Sequence, residues 1–153
     1  MATPECTTSS VRTMTGWSER SEGAMTGCPF CLETNQMEGE IITRDEHCYV
    51  LESLDPVLRE SVMVIPLRHV ETPFELTEDE WRSTHAMLLR AKEHLDRAKP
   101  EGYSVGWNVS EVGGQTVPHA HLHVIGRFAD EPMAGRGIRH ALKQESNRRP
   151  AGR

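Results

Sequence analysis

Between Pro118 and Phe128 the chain reads PHAHLHVIGRF, with histidine at positions 119, 121 and 123 and an apolar residue in each gap. A strict period of two fits a β-strand and no helix, because successive side chains of a strand point to opposite faces. The segment predicts a strand with Ala120, Leu122 and Val124 turned into a core. His119, His121, His123 and Ile125 then stand in a row on an open face. At ~3.3 Å per residue, neighbours in the row lie about 6–7 Å apart and the outer two about 13 Å. Two adjacent imidazoles can therefore meet on one ion or one phosphate, whereas three on a straight strand do not.

The rest of the chain supplies partners for that strand. Glu40–Arg44, His47–Ser53 and Ser61–Pro66 are short and β-branched, separated by Arg-Asp-Glu and Leu-Asp-Pro turns, which predicts a three-stranded meander. Residues 76–100 change period. Thr77 and Glu80 form a capping box, Leu76 and Trp81 a hydrophobic staple, and Trp81, Leu88, Ala91 and Leu95 recur at helical spacing until Pro100 and Gly102. This predicts a helix of about five turns, with His85 and His94 as ordinary surface or boundary residues. Tyr103–Val109 reads as a fourth strand, joined to the histidine strand by Ser110–Gly114, a length suited to a hairpin. Five strands and one long helix, with mostly antiparallel connections, predict an α+β fold.

At 153 residues the chain supports one core. Residues 1–27, rich in Ser, Thr and Gly, read as a disordered or loosely attached tail, residues 28–131 as the domain, and residues 132–153 as a basic tail, partly helical around Ile138–Lys143. Seventeen Lys+Arg against 23 Asp+Glu leave a net charge of −6, so no global field draws in nucleic acid or an anionic membrane. No apolar run approaches the ~20 residues of a membrane span. The polar amino terminus lacks a signal-peptide core, so a cytoplasmic location is expected, where cysteines act as thiols or metal ligands.

Three chemistries compete for the histidine row: plain surface residues, a metal-dependent site, or phosphoryl transfer through an imidazole nucleophile. Gly113-Gly114 upstream lets backbone N–H groups approach an anion, and Gln115 and Thr116 add donors. An imidazole with an ordinary pKa near ~6.5 is nucleophilic at neutral pH, and a second one nearby can protonate a leaving group.

The run His119-Ala-His121-Leu-His123-Val-Ile resembles the signature of the histidine triad (HIT) superfamily, in its Hint- and Fhit-like hydrolase branch. Asn108, the Gly113–Thr116 loop, the VIPLRH strand ending at His69 and the helix after it extend the resemblance over Cys28–Phe128. The resemblance implies a homodimer of joined sheets and release of a nucleoside monophosphate, AMP in the first instance, from a phosphoramidate or dinucleoside polyphosphate. His121 would be the nucleophile, His123 would assist the leaving group, and Thr116, Gln115 and Gly114 would hold the α-phosphate with Asn108. Phe30 and Leu54 match base-pocket positions. Where the family carries an acidic ribose contact this chain has Ser53, with Glu52 and Asp55 as the neighbouring carboxylates; the family's later Gly-His falls at Glu60 and Ser61.

Cys28-x-x-Cys31 by itself fits a redox pair, half of a zinc site or a pair of core thiols. The resemblance to zinc-binding prokaryotic HIT proteins implies a structural zinc held by Cys28, Cys31, His69 and His119. Two other functions remain open on the sequence: a nucleotide-binding scaffold with little catalysis, and metal-dependent catalysis at His121 and His123.

Overall fold

The computed structural model describes residues 27–150. The amino-terminal tail before Gly27, with Cys6, lies outside them. Five strands form one sheet: β1 (Ile41–Arg44), β2 (Cys48–Glu52), β3 (Ser61–Pro66), β4 (Gly102–Trp107) and β5 (Leu122–Arg127). Their order is β1-β2-β3-β5-β4, and every pair is antiparallel. The fold is α+β, as the element count predicts.

Helix α1 (Glu78–Leu95) covers one face of the sheet. Met87, Ala91 and Leu95 pack against Cys48 and Val50 of β2, Val62 and Val64 of β3, and Leu122 and Val124 of β5. Removing Leu95, 2% exposed, down to alanine falls in the class of core truncations that cost about 2–5 kcal/mol. Tyr49, Leu51 and Ile65 point to the opposite face, where Phe30, Leu32 and Met63 cover them. Because both faces of β2 are buried, CYVLE reads as one apolar run rather than an alternation.

The start of α1 is fixed by its cap. The Thr77 hydroxyl accepts from the Glu80 amide at 3.3 Å, and the Glu80 carboxylate accepts from the Thr77 amide at 2.7 Å. That carboxylate also receives Nε and Nη2 of Arg68 at 2.8 and 2.7 Å, a paired fork that ties the chain after β3 to the helix. The residues of the predicted staple, Leu76 and Trp81, both lie beside Trp107. Leu76 packs with Val70 and Ala120, while Trp81 meets Trp107 edge-on with centroids 6.1 Å apart. After α1, Lys99 takes the left-handed conformation (φ 55°) where glycine is usual, and Pro100 follows.

Two expectations need correction. β5 begins at Leu122, so His119 and His121 precede the strand. Pairing with β4 runs out at Trp107 opposite Leu122, and the Ala120 amide instead donates to the Val70 carbonyl at 2.7 Å. The β4–β5 connection is accordingly residues 108–121, with a 3-10 turn at Glu111–Gly113, and not a tight hairpin closed by residues 110–114. Beyond β5 a short helix, α2 (Arg139–Leu142), falls where the sequence predicts it. No helix among the described residues is long and apolar enough to cross a membrane.

Candidate active site and metal centre

The histidine row is not open. His119 is fully buried and His121 is 4% exposed, because two distant segments close over them: the turn at residues 28–34 and the stretch 66–70 that follows β3. Only His123, inside β5 opposite Met63 and Gly106, is half-buried.

The cysteine turn is locked by its own hydrogen bonds. The Cys31 amide donates to the Cys28 carbonyl at 3.2 Å, and the Thr34 hydroxyl reaches the carbonyls of Cys28 and Cys31, both at 2.8 Å. Tyr49 Oη donates to the Phe30 carbonyl at 2.6 Å, fastening the turn to β2. Arg68, held by Glu80, carries His69 into the same space. The candidate ligand atoms of Cys28, Cys31, His69 and His119 lie within 4.8 Å of one another.

Their separations test whether a metal fits. Tetrahedral zinc with ordinary bond lengths sets sulfur and nitrogen ligands about 3.6 Å apart. Cys28 Sγ and His119 Nδ1 are 3.4 Å apart, Cys31 Sγ and His69 Nδ1 3.2 Å, and Cys31 Sγ and His119 Nδ1 3.7 Å. His119 Nε2–H donates to the Pro66 carbonyl at 2.9 Å, which leaves the Nδ1 lone pair facing the sulfurs. Burial first, then His69 nearby, pulls the His119 pKa down to about 4, so the imidazole is neutral, as a ligand must be. Burial and the neighbouring Cys28 push the Cys31 thiol up to about 12. A dication beside it would reverse that preference and hold it as thiolate. The donor set and its spacing fit a metal ion held by four protein ligands.

His121 is oriented by the same stretch of chain. Its Nδ1 lies 2.7 Å from the His119 carbonyl. A carbonyl only accepts, so Nδ1 carries the proton and the lone pair sits on Nε2. Burial lowers the pKa of His121, and burial with the neighbouring His121 lowers that of His123, so both rings are largely neutral at pH 7. The His121 and His123 rings are 4.8 Å apart and nearly perpendicular, and Phe30 stands edge-on to His121 at 5.1 Å. Of the two expected base-pocket residues, Phe30 is therefore at the site. Leu54 is 62% exposed and belongs to none of the apolar clusters.

The loop expected to hold phosphate is braced from within. Gln115 Oε1 accepts from the Ser110 amide at 2.8 Å, and its Nε2 donates to the Glu71 carbonyl at 2.7 Å. Both ends of this amide are thus engaged with backbone. Gly114 sits at φ 90°, with Asn108 against it. Thr116 is exposed and lines, with Thr72, Ser110 and Gly114, a cavity of about 580 Å³.

The carboxylates near Ser53 are placed by parity and turn. Ser53 continues the Tyr49–Leu51 side of β2, the face that carries the histidines. Glu52 shares parity with Cys48 and Val50 and lies on the helix face. Asp55 Oδ1 accepts from the amides of Val57 and Leu58 at 2.8 and 2.9 Å, closing its own turn. Sequence reasoning missed the Pro66 and His119 carbonyls, Tyr49, and Ile138, whose Cδ1 lies 3.1 Å from where a Cβ on Gly106 would stand. Backbone carbonyls have no sequence signature, and Ile138 is brought in by the chain's return over the sheet.

Residues 34–130 match the HIT domain family, and the chain belongs to it. The matched span starts after the cysteine pair, so the metal centre rests on its geometry. An uncharacterised HIT-like protein of Methanocaldococcus jannaschii is 28% identical over 102 residues, covering 66% of this chain and 79% of that protein. AP-4-A phosphorylase of Mycobacterium tuberculosis is 29% identical over 96 residues, covering 61% of this chain but 49% of the relative. The crystal structure of SMU.412c from Streptococcus mutans superposes with a TM-score of 0.64 at 29% identity, covering 78% of this chain and 77% of that one.

Proposed function

We propose that the chain is a nucleotide hydrolase or nucleotidyl transferase that releases a nucleoside monophosphate through a covalent intermediate on His121. The carrying observation is the hydrogen bond from His121 Nδ1–H to the His119 carbonyl, which aims the Nε2 lone pair away from the backbone. Nε2 attacks the α-phosphorus and a P–N bond forms. The bond from phosphorus to the leaving group breaks, its electron pair leaving with that group. His123, 4.8 Å away ring to ring, relays a proton where the leaving group needs one, giving up its N–H while its other ring nitrogen takes a proton from solvent. Water then cleaves the P–N bond, returning the imidazole and giving the monophosphate.

Asn108, the backbone at Gly114 and the Thr116 hydroxyl hold the phosphate, and Phe30 walls the base side. Gln115 acts by bracing the loop. The metal centre of Cys28, Cys31, His69 and His119 takes a structural Zn²⁺, which when bound cross-links the amino-terminal turn to the triad segment. The chain works as a homodimer. The resemblance to a phosphorylase named for AP-4-A supports adenine nucleotides as substrates.

A second reading has one specific observation in its favour. Neither carboxylate beside Ser53 is offered to a ribose: Glu52 lies on the helix face, and Asp55 closes its own turn. A nucleotide-binding scaffold with little turnover is consistent with that. One paired assay separates the two. Wild type and His121→Ala receive adenosine phosphoramidate and diadenosine tetraphosphate, AMP release is followed by chromatography, and quenched wild type is weighed for an AMP adduct. Turnover and adduct in wild type alone support the hydrolase; a folded wild type that binds AMP without turning over either substrate supports the scaffold.

A further inference from the structure

The turn that carries Cys28 and Cys31 brings two sulfurs together beside the triad. The Cys31 amide on the Cys28 carbonyl closes the turn, and the Thr34 hydroxyl holds both carbonyls. The candidate ligand atoms, the two sulfurs among them, lie within 4.8 Å of one another. The pair is unequal in access. Cys31 is 1% exposed, whereas Cys28 is half-buried and follows the exposed Gly27. One sulfur is thus open to a small solute, and the second stands behind it.

Among the described residues the one other thiol, Cys48, is fully buried on the opposite face of the sheet. Its Sγ lies against Thr84 Oγ1 and the Glu80 carbonyl, at 3.6 and 3.8 Å. A sulfenic acid formed on Cys28 therefore has Cys31 as its resolving thiol.

Both sulfurs face one nitrogen. Cys28 Sγ and Cys31 Sγ stand 3.4 and 3.7 Å from His119 Nδ1. Phe30, between the cysteines in sequence, lies edge-on to the rings of His119 and His121, with centroids 6.2 and 5.1 Å away. Other fastenings of the turn contain no sulfur: Tyr49 Oη on the Phe30 carbonyl, and Phe30 and Leu32 against Tyr49, Leu51 and Ile65. A change of state at the sulfurs therefore reaches His119 first and leaves the turn on the sheet.

We propose that Cys28 and Cys31 form a thiol–disulfide switch that a hydroperoxide closes, releasing the metal and with it the His119 ring. The switch rests on the metal reading above, and its effect on turnover on the hydrolase reading. The Cys28 thiolate attacks one peroxide oxygen, and the O–O bond breaks. Its electron pair leaves with the second oxygen, which takes a proton from solvent, and a sulfenic acid remains on Cys28. The Cys31 thiolate attacks that sulfur, an S–S bond forms, and the S–O bond breaks with loss of hydroxide, protonated to water. The two sulfurs give up two electrons and the peroxide takes them. Neither sulfur then carries the thiolate charge that a dication requires, so two of four ligands are lost. His119 keeps its Nε2–H bond to Pro66 but loses its grip at Nδ1, and the carbonyl that orients His121 loses its anchor. Reduction, with zinc supplied, restores both.

The test uses the full chain, purified under reducing conditions and loaded with zinc. Hydrogen peroxide is added in small molar excess, zinc release is followed with a chromophoric chelator, and remaining thiols are alkylated for peptide mapping. One zinc released per Cys28–Cys31 disulfide, reversed by a phosphine reductant and added zinc, is expected, with far-UV circular dichroism unchanged. Cys6→Ser should behave as wild type, because the pair is complete without the tail. A chain that takes up no zinc, zinc retained under peroxide, a disulfide to Cys6, or zinc lost only with sulfinic acid each overturns the switch. Turnover of adenosine phosphoramidate is measured alongside. With the disulfide formed kcat should fall on the order of 100-fold, the scale of a nucleophile moved out of line, and return on reduction. Full turnover by the oxidised, zinc-free chain overturns the link to the site. A reduced, zinc-loaded wild type without turnover refutes the hydrolase reading, and the zinc and disulfide measurements still decide the switch.

Discussion

The Glu80 carboxylate joins the cap of α1 to the chain after β3, and Glu80→Gln should show its weight. The side chain is 6% exposed, accepts both arms of the Arg68 fork, and caps α1 through the Thr77 amide. The Arg68 fork first, and the Thr77 amide with it, lower its pKa from the ordinary 4.5 to about 2. That difference is worth about 3 kcal/mol in favour of the folded, ionised state. Glutamine keeps one acceptor for the cap but turns an N–H toward the guanidinium. Arg68 is half exposed and recovers some hydration, so a net cost of about 2–3 kcal/mol at pH 7 is expected. In a domain of this size that lowers Tm by about 8–12 °C. By contrast the Arg82–Glu78 pair, 65% and 84% exposed, belongs to the class worth about 0–1 kcal/mol, and Arg82→Ala serves as the internal control.

The pH dependence gives the sharper check. A carboxylate with a depressed folded pKa contributes its full stabilisation above the unfolded value, near 4.5, and loses it as pH falls toward about 2. Urea unfolding of wild type and Glu80→Gln between pH 7 and pH 2.5 should therefore give curves that are parallel above pH 5 and converge below it. Taking the difference removes the other titrating carboxylates. A gap under 0.5 kcal/mol at pH 7, or one that stays constant down to pH 2.5, would refute the assignment of stability to the ionised fork.

Two further outcomes bear on the metal and on the backbone. The purified chain should hold one zinc per protomer, with X-ray absorption fitting two sulfurs and two nitrogens; Cys31→Ser or a strong chelator should remove it and lower Tm, and a metal-free wild type with an unchanged Tm would count against a structural role. Lys99→Gly, which relieves a left-handed non-glycine residue after α1, should stabilise the fold by about 1 kcal/mol in urea titration, and any destabilisation would show that Lys99 contributes more through its side chain than its backbone costs.

The sequence carried those features that depend on local chemistry. Thr77 and Glu80 mark the start of α1 wherever the helix packs, and alternation in PHAHLHVIG assigns Leu122 and Val124 to the core face. What escaped is set by distant chain. The burial of His119 and His121 depends on residues 28–34 and 66–70, which meet the triad only through the sheet. The first residue of β5 depends on where β4 stops, and a pattern read along one strand does not contain its partner's end. Glu52 was legible as acidic but not as facing the helix, because β2 is apolar on both sides and its parity has no polar marker. Gln115 looked like a ligand group because a polar side chain in a glycine loop has two uses, and only the Ser110 and Glu71 contacts decide for bracing.

His119 joins the two halves of the site in one residue. Its ring Nδ1 faces the cysteines, its Nε2–H is spent on Pro66, and its carbonyl fixes the tautomer of His121. The ring and the carbonyl belong to one rigid peptide neighbourhood, held further by the Ala120 amide on Val70. Whatever grips the ring therefore also sets the direction of the Nε2 lone pair of His121 two residues on. On the proposed reading, a metal held in this position would act on catalysis without touching substrate, by fixing where a carbonyl points. On the same reading the half-buried His123 end of the row is left to face substrate, and the buried His119 end is where an anchor holds the most backbone.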